Sequence, residues 1–293
     1  MTQTTSAGTV PPSAATGVLS GLARIQARRY LRHPVYLMPV AFLLLGAARH
    51  LLTGQIDTGW DQTLTWALWL GIPGVVVGYR LAVTEDRALS LLRSTPTDQR
   101  TRTLALYLAC LVPVATCLVL MGVYGLVDLV HPPPAGYVVP VPPTQIGWVD
   151  YVFAVAEGPV ACFGGPVLGV TIGRWVHFPG AGVLAAVVLL MVELVALGFG
   201  EVVPGIGEAW ASRVVVTLQP YVYWGATDDS RTFTALRPGS PAGHLLYSLA
   251  LCGLAMTAGL LRGAGRRETA RLRRVGLALL AAAAASFLLA LVG

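Results

Sequence analysis

The stretch Thr84–Arg102, TEDRALSLLRSTPTDQRTR, is a charged island between two long apolar runs. Glu85 and Asp86 open it, Arg87 and Arg93 lie inside it, and Asp98, Arg100 and Arg102 close it. Leu89, Leu91 and Leu92 supply an apolar side. The acidic start suits the positive end of a helix dipole, and Pro96 disfavours helical geometry at Thr95. The stretch predicts a short amphipathic helix over 84–96. The side of a membrane on which that helix lies orders every other segment of the chain.

The composition requires such a membrane. Of 293 residues, 55% are apolar and only 12% are charged, which is outside the range of soluble globular chains. The net charge of +6 comes from arginine alone, because the chain has no lysine. A phosphate-binding P-loop needs a lysine, so this chain does not carry that ATPase motif. The arginines fall at the ends of apolar runs rather than on a polar domain with interleaved aromatics, which excludes a nucleic-acid footprint and indicates membrane orientation. The four cysteines, Cys110, Cys117, Cys162 and Cys252, all lie in apolar segments without metal-ligand spacing and read as buried hydrophobes. The five histidines form no HExxH pair, so the sequence gives no metal site.

On the N-terminal side of the island, residues 1–17 are rich in Thr, Ser, Ala and Pro and are expected to be a disordered tail, not a secretory signal. From 18 to 33, Arg24, Arg28 and Arg32 recur at spacing four on one face, with Leu19, Leu22, Ala23 and Tyr30 largely on the other. That pattern predicts an amphipathic helix lying on membrane lipids, with Arg29 snorkelling from the apolar side. Seven apolar runs follow, at about 34–52, 63–83, 103–127, 149–173, 179–199, 243–261 and 275–292, each near the roughly 20 residues needed to cross the hydrocarbon core. With the N-terminus cytoplasmic, sixteen arginines lie inside, and four (Arg49, Arg213, Arg231 and Arg237) lie outside. The positive-inside rule then places the 84–102 island in the cytoplasm.

The outer loops differ in chemistry. The 131–150 loop carries six prolines and no arginine, and reads as a stiff extended cap. The 200–242 stretch holds Trp210, Leu218, Tyr221, Tyr223 and Trp224 around Pro220, and reads as short helices dipping part-way into the outer leaflet. The expected fold is therefore all-α. It is a polytopic transmembrane helical bundle over 18–293, with six core spans, a seventh C-terminal span, an N-terminal interfacial helix and a cytoplasmic helix over 84–96.

The order of these parts resembles the membrane subunit of an ABC exporter of the type-2 permease class. The local likeness rests on Glu85, Arg87, Leu89, Leu91, Leu92, Ser94, Thr95, Pro96, Thr97 and Arg100, and the architectural likeness extends from Val18 to about Leu261. The resemblance implies that the helix after the second span is a coupling helix docking on a separate ABC ATPase subunit. Glu85, Asp86, Arg87, Leu89, Leu91, Leu92 and Arg93 would then form the docking surface, with Arg24, Arg28 and Arg32 of the N-terminal helix beside it. It implies ATP and Mg bound by the ATPase, no cofactor on this chain, and a second permease copy or a related permease as partner. The seventh span departs from the family, whose members usually have six with both ends cytoplasmic. Abundant arginine, alanine, glycine and valine without lysine indicate a GC-rich bacterial genome, hence the bacterial cytoplasmic membrane.

Two carboxylates lie within spans. An ionised Glu193 near the middle of the fifth run costs roughly 2.5–3.5 kcal/mol. It faces protein or water, meeting either a cationic or hydroxylated substrate or a neighbouring helix. Glu157, just before Pro159, fits a wet outer vestibule. Gly165 and Gly169 form a GxxxG spacing that reads as close helix packing. The expected function is export of a hydrophobic or amphipathic compound without catalysis by this chain. The alternative is a membrane-embedded enzyme of lipid or glycan metabolism. That alternative needs clustered catalytic groups, whereas in the sequence Glu157 and Glu193 stand apart.

Overall fold

The computed structural model describes residues 12–53, 67–91, 97–131, 148–201, 214–215, 217–218, 226–227, 234–235 and 240–292. These are almost entirely helical. α1 (Pro12–Leu31) and α2 (Pro34–Thr53) are separated at His33, where Pro34 excludes helical geometry in the preceding residue. A π-helical turn (Ala67–Gly71) leads into α3 (Ile72–Leu91). α4 (Gln99–Ala109) and α5 (Leu111–Val130) are two segments of one apolar run. The break at Cys110 follows from Pro113, which has no N–H for the carbonyl one turn earlier. Then come α6 (Trp148–Trp175), α7 (Ala181–Glu201), a two-residue antiparallel ladder pairing Ala226 with Ala235, α8 (Pro241–Leu261) and α9 (Arg266–Val292).

Among the described residues, five helical stretches are long and apolar enough to cross a membrane: Pro34–Thr53, Gln99–Val127, Val155–Trp175, Pro241–Leu261 and Arg266–Val292. They correspond to the first, third, fourth, sixth and seventh runs expected from the sequence. The fifth run returns as a shorter apolar helix, Ala181–Val195. The second differs. Its described part, α3, carries Arg80, Glu85, Asp86 and Arg87 within one helix, so the expected boundary between a span and a separate 84–96 helix is absent. The backbone passes Thr84 without interruption and stays helical to Leu91. Leu92, Arg93 and the Ser94–Thr95–Pro96 segment lie outside the described residues, as do most of the 200–242 outer stretch and the proline-rich loop.

The surface explains what solvent this chain requires. In α2 only Tyr36, Pro39, Leu43, Ala47 and His50 are buried, a stripe at helical spacing. Met38 (72% exposed) and Leu52 (84% exposed) point away from it. Large apolar side chains are similarly exposed along α5, α7 and α9. Exposed apolar surface on this scale identifies a face for lipid.

α1 differs from expectation at both ends of its reading. The helix begins at Pro12, inside the 1–17 segment expected to be disordered, and Pro is well placed in a first turn. Its Leu19–Leu22–Ala23–Gln26–Tyr30 side packs on protein, chiefly α4, rather than lying open to lipid, with Gln26 and Tyr30 buried. Arg24, Arg28 and Arg29 remain exposed, with Arg29 off the packed face.

The centre of the bundle is the α3–α6 contact. A Cβ built on Gly165 would overlap the Gly71 carbonyl, one on Gly169 the Val75 carbonyl, and one on Gly78 the Pro166 carbonyl. Glycine is required there because the two backbones touch. α8 packs on α6, and α9 lies antiparallel along α8 over its whole length. At the far end, the Ser240 N–H donates to the Ala290 carbonyl (3.3 Å).

Candidate functional site

The charged ends of the helices meet at one end of the bundle. α3 ends there with Glu85, Asp86 and Arg87, α6 with Arg174, and α8 with Arg262. α4 and α9 begin there. The segments that the arginine count assigns to one side of the membrane thus share one end of the fold.

Arg174 is the focus of this end. It stands one residue before the end of α6, and its side chain is fully buried (0% exposed). One guanidinium nitrogen donates to Glu85 Oε2 at 2.7 Å and another to Asp86 Oδ1. The other Asp86 oxygen faces His177 Nε2 (3.6 Å) and Arg262 (3.9 Å), and Arg262 contacts His177 at 3.0 Å. Burial pushes the Glu85 carboxyl, beyond the predicted 63–83 span, above its ordinary value, against the pull of Arg174. Two uncharged bonds brace the same corner. The Tyr79 hydroxyl donates to the Phe178 carbonyl (2.5 Å), and the Trp175 indole N–H donates to the Ala258 carbonyl (2.9 Å). α3, α6, the α6–α7 turn and α8 are therefore clasped by one buried cation, two carboxylates and their neighbours.

The remaining acidic groups at this end are also engaged. Asp98 caps α4 by accepting from the Thr101 N–H at 3.0 Å, and Glu268 of α9 accepts from Arg100 of α4. Of the residues the resemblance puts on the docking surface, Glu85 and Asp86 face inward on Arg174 and Arg87 is exposed. The α3 backbone carries Leu89 and Leu91, and Leu92 and Arg93 lie outside the described residues. Arg24 and Arg28 lie on the exposed side of α1, and Arg32, just past its end, is exposed too.

The second polar feature lies toward the other end of α6 and α8. Glu157 Oε2 and His244 Nδ1 are 2.7 Å apart, and both side chains are buried, which corrects the expectation of a wet vestibule around Glu157. The pairing requires α8 to cross α6, a contact the sequence does not display. Glu157 Oε1 has no hydrogen-bond partner among the described residues. Glu193 is buried on the side of α7 that carries Ala186 and Leu189 against α3. Between these levels, the Thr171 hydroxyl donates to the Ala255 carbonyl (2.8 Å) and meets the Tyr107 hydroxyl at 3.0 Å, tying α4, α6 and α8 together. Among the described residues, no three His, Cys, Asp or Glu side chains converge as a metal site.

Sequence reasoning missed Arg174, His177, Arg262 and His244 as members of these clusters. Arg174 counted only as a topological arginine. The available signal was its position at the end of an apolar run, and Glu85–Asp86 is the one adjacent acidic pair among the segments that the arginine count groups with it. Comparison with family models, curated proteins and solved structures finds no match for this chain.

Proposed function

We propose that the chain is the membrane-spanning permease subunit of an ATP-driven exporter in the bacterial cytoplasmic membrane, with its N-terminus in the cytoplasm. It works as a dimer with itself or with a related permease, recruits two ATPase subunits that hold ATP and Mg, and moves a hydrophobic or amphipathic compound outward. One observation carries this reading. α3 continues unbroken from its glycine-mediated contact with α6 into the Glu85–Leu91 end, and Arg174 clasps that end to α6. A push on the projecting end of such a helix moves α3 and α6 as one body, which is what coupling to a separate motor needs. In this reading Glu85 and Asp86 position the coupling helix, and Arg87 and Arg93 face the ATPase. Co-purification tests it. A tagged wild-type chain in mild detergent is expected to bring down a P-loop ATPase, and Arg87→Glu with Arg93→Glu to release it. Recovery of the folded chain with no ATPase overturns the proposal.

The Glu157–His244 pair favours the second reading, a membrane-embedded enzyme of lipid or glycan metabolism, because a carboxylate that orients an imidazole is a recurrent general-base arrangement. Absence of an ATPase partner, together with accumulation of one lipid or glycan species in cells carrying Glu157→Gln, would select it.

A further inference from the structure

The first turns of α9 carry RRETARLRR, Arg266 to Arg274, and all five arginines are exposed. At 100° per residue, Arg267, Arg271 and Arg274 form one stripe, with Arg266 and Arg273 beside it. Glu268, Thr269, Leu272 and Gly276 occupy the opposite, half-buried side toward the protein. The single acidic residue of the segment, Glu268, is engaged by Arg100. The five cations thus face away from the bundle. Arg266 and Arg267 also stand in the first turn, at the positive end of a helix dipole, which disfavours them. The other carboxylates at this end of the fold, Glu85, Asp86 and Asp98, are committed to Arg174 and to the α4 cap.

The same helix face then becomes apolar. Leu277 (67% exposed), Leu288 (59%) and Val292 (86%) fall in the angular sector of the arginines. From Arg274 to Val292 the helix rises about 27 Å at 1.5 Å per residue, close to the roughly 30 Å hydrocarbon thickness. The arginines therefore lie at headgroup depth when the leucines are among acyl chains.

We propose that this face of α9 is a binding surface for anionic phospholipid, with Arg267, Arg271 and Arg274 on the headgroup phosphate and Leu277 along the acyl chains. A guanidinium offers bidentate hydrogen bonds to phosphate oxygens, and several close together select a headgroup with net negative charge. An acidic protein surface would match the arginines but not the exposed leucines that continue them. Among the described residues, the carboxylates that a second copy of this chain offers at the same end are already engaged.

The test uses the full chain in nanodiscs of phosphatidylcholine with a minor fraction of phosphatidylglycerol, followed by native mass spectrometry of the lipids retained. The wild type is expected to retain phosphatidylglycerol well above its share of the mixture. The triple variant Arg267→Gln, Arg271→Gln, Arg274→Gln is expected to lose that preference by at least about tenfold, with phosphatidylcholine retention unchanged. The triple Lys variant should keep most of it. These residues are exposed, so the variants fold; unchanged thermal unfolding in detergent verifies this. Equal enrichment of phosphatidylglycerol in wild type and the Gln variant overturns the proposal.

Discussion

At the residue scale, Arg174 is a fully buried cation held by two carboxylates, Glu85 and Asp86. A guanidinium with no exposure is tolerable only with its carboxylates in place, because removing one partner of a buried pair leaves an uncompensated charge at about 3–5 kcal/mol. Arg174→Met is expected to lose that much stability and to lower the thermal unfolding temperature in detergent. Arg174→Lys should recover only part, since a single ammonium does not span Glu85 and Asp86 as the fork does. Glu157 and His244 make a second residue-scale prediction. Glu157→Leu and His244→Leu should each cost about 1–3 kcal/mol by stripping the other buried group of this contact, while the combined Glu157→Leu, His244→Leu variant should cost less than the sum. Strict additivity in that double-mutant cycle would show that the 2.7 Å contact carries no coupling. The sequence displayed both glutamates but neither partner. Arg174 lies 89 residues from Glu85 and His244 lies 87 from Glu157, and no local pattern encodes such pairings.

At the element scale, the glycines of α6 decide how close α3 can come. Gly169→Leu places a side chain where the Val75 carbonyl now sits, and overpacking of this kind typically costs 1–3 kcal/mol, with backbone contact at about the top of that range. The expected outcome is loss of folded chain by fluorescence-detected size-exclusion chromatography. Gly122→Ala on α5, with nothing near its Cβ, serves as the control. It should be neutral or stabilising by up to about 1 kcal/mol, since it removes a helical glycine. The GxxxG spacing made close packing legible in the sequence, but not the identity of the partner helix. Helix existence was equally legible, because long apolar runs bounded by arginine and proline leave few alternatives. Boundaries were less so. α9 begins nine residues before the expected 275, since an arginine-rich segment is still a good helix former, and α3 passes through Thr84 where a charge pattern suggested a break.

At the scale of the whole molecule, the antiparallel packing of α8 and α9 bears on where the chain ends. Ser240 and Ala290 are hydrogen-bonded at one end of this hairpin, and the Arg262–Gly265 turn closes the other. If α8 crosses the bilayer, α9 crosses it too. Single cysteines placed at Ser240 and Val292 in a chain with its native cysteines replaced are therefore expected to react with an impermeant maleimide from the same side. A cysteine at Gly263 should react from the opposite side together with one at Arg24. Labelling of Val292 with the Gly263 group would mean that α9 does not cross. Native cysteines are all buried, so they should label poorly even before replacement.

The sequence by itself determined that this is a helical chain with apolar helices long enough for a membrane, and roughly where those helices fall. Those properties follow from local composition and from the cost of placing arginine and open backbone in hydrocarbon, and they need no knowledge of contacts. Only the tertiary structure decided that the 84–102 island begins as the unbroken end of α3, that Glu85 and Asp86 turn inward to Arg174, and that Glu157 meets His244 as a buried pair. These outcomes depend on which helix packs on which. In a bilayer that choice is made by small-residue surfaces and buried polar partners distant in sequence, rather than by the uniform hydrophobicity that marks the spans.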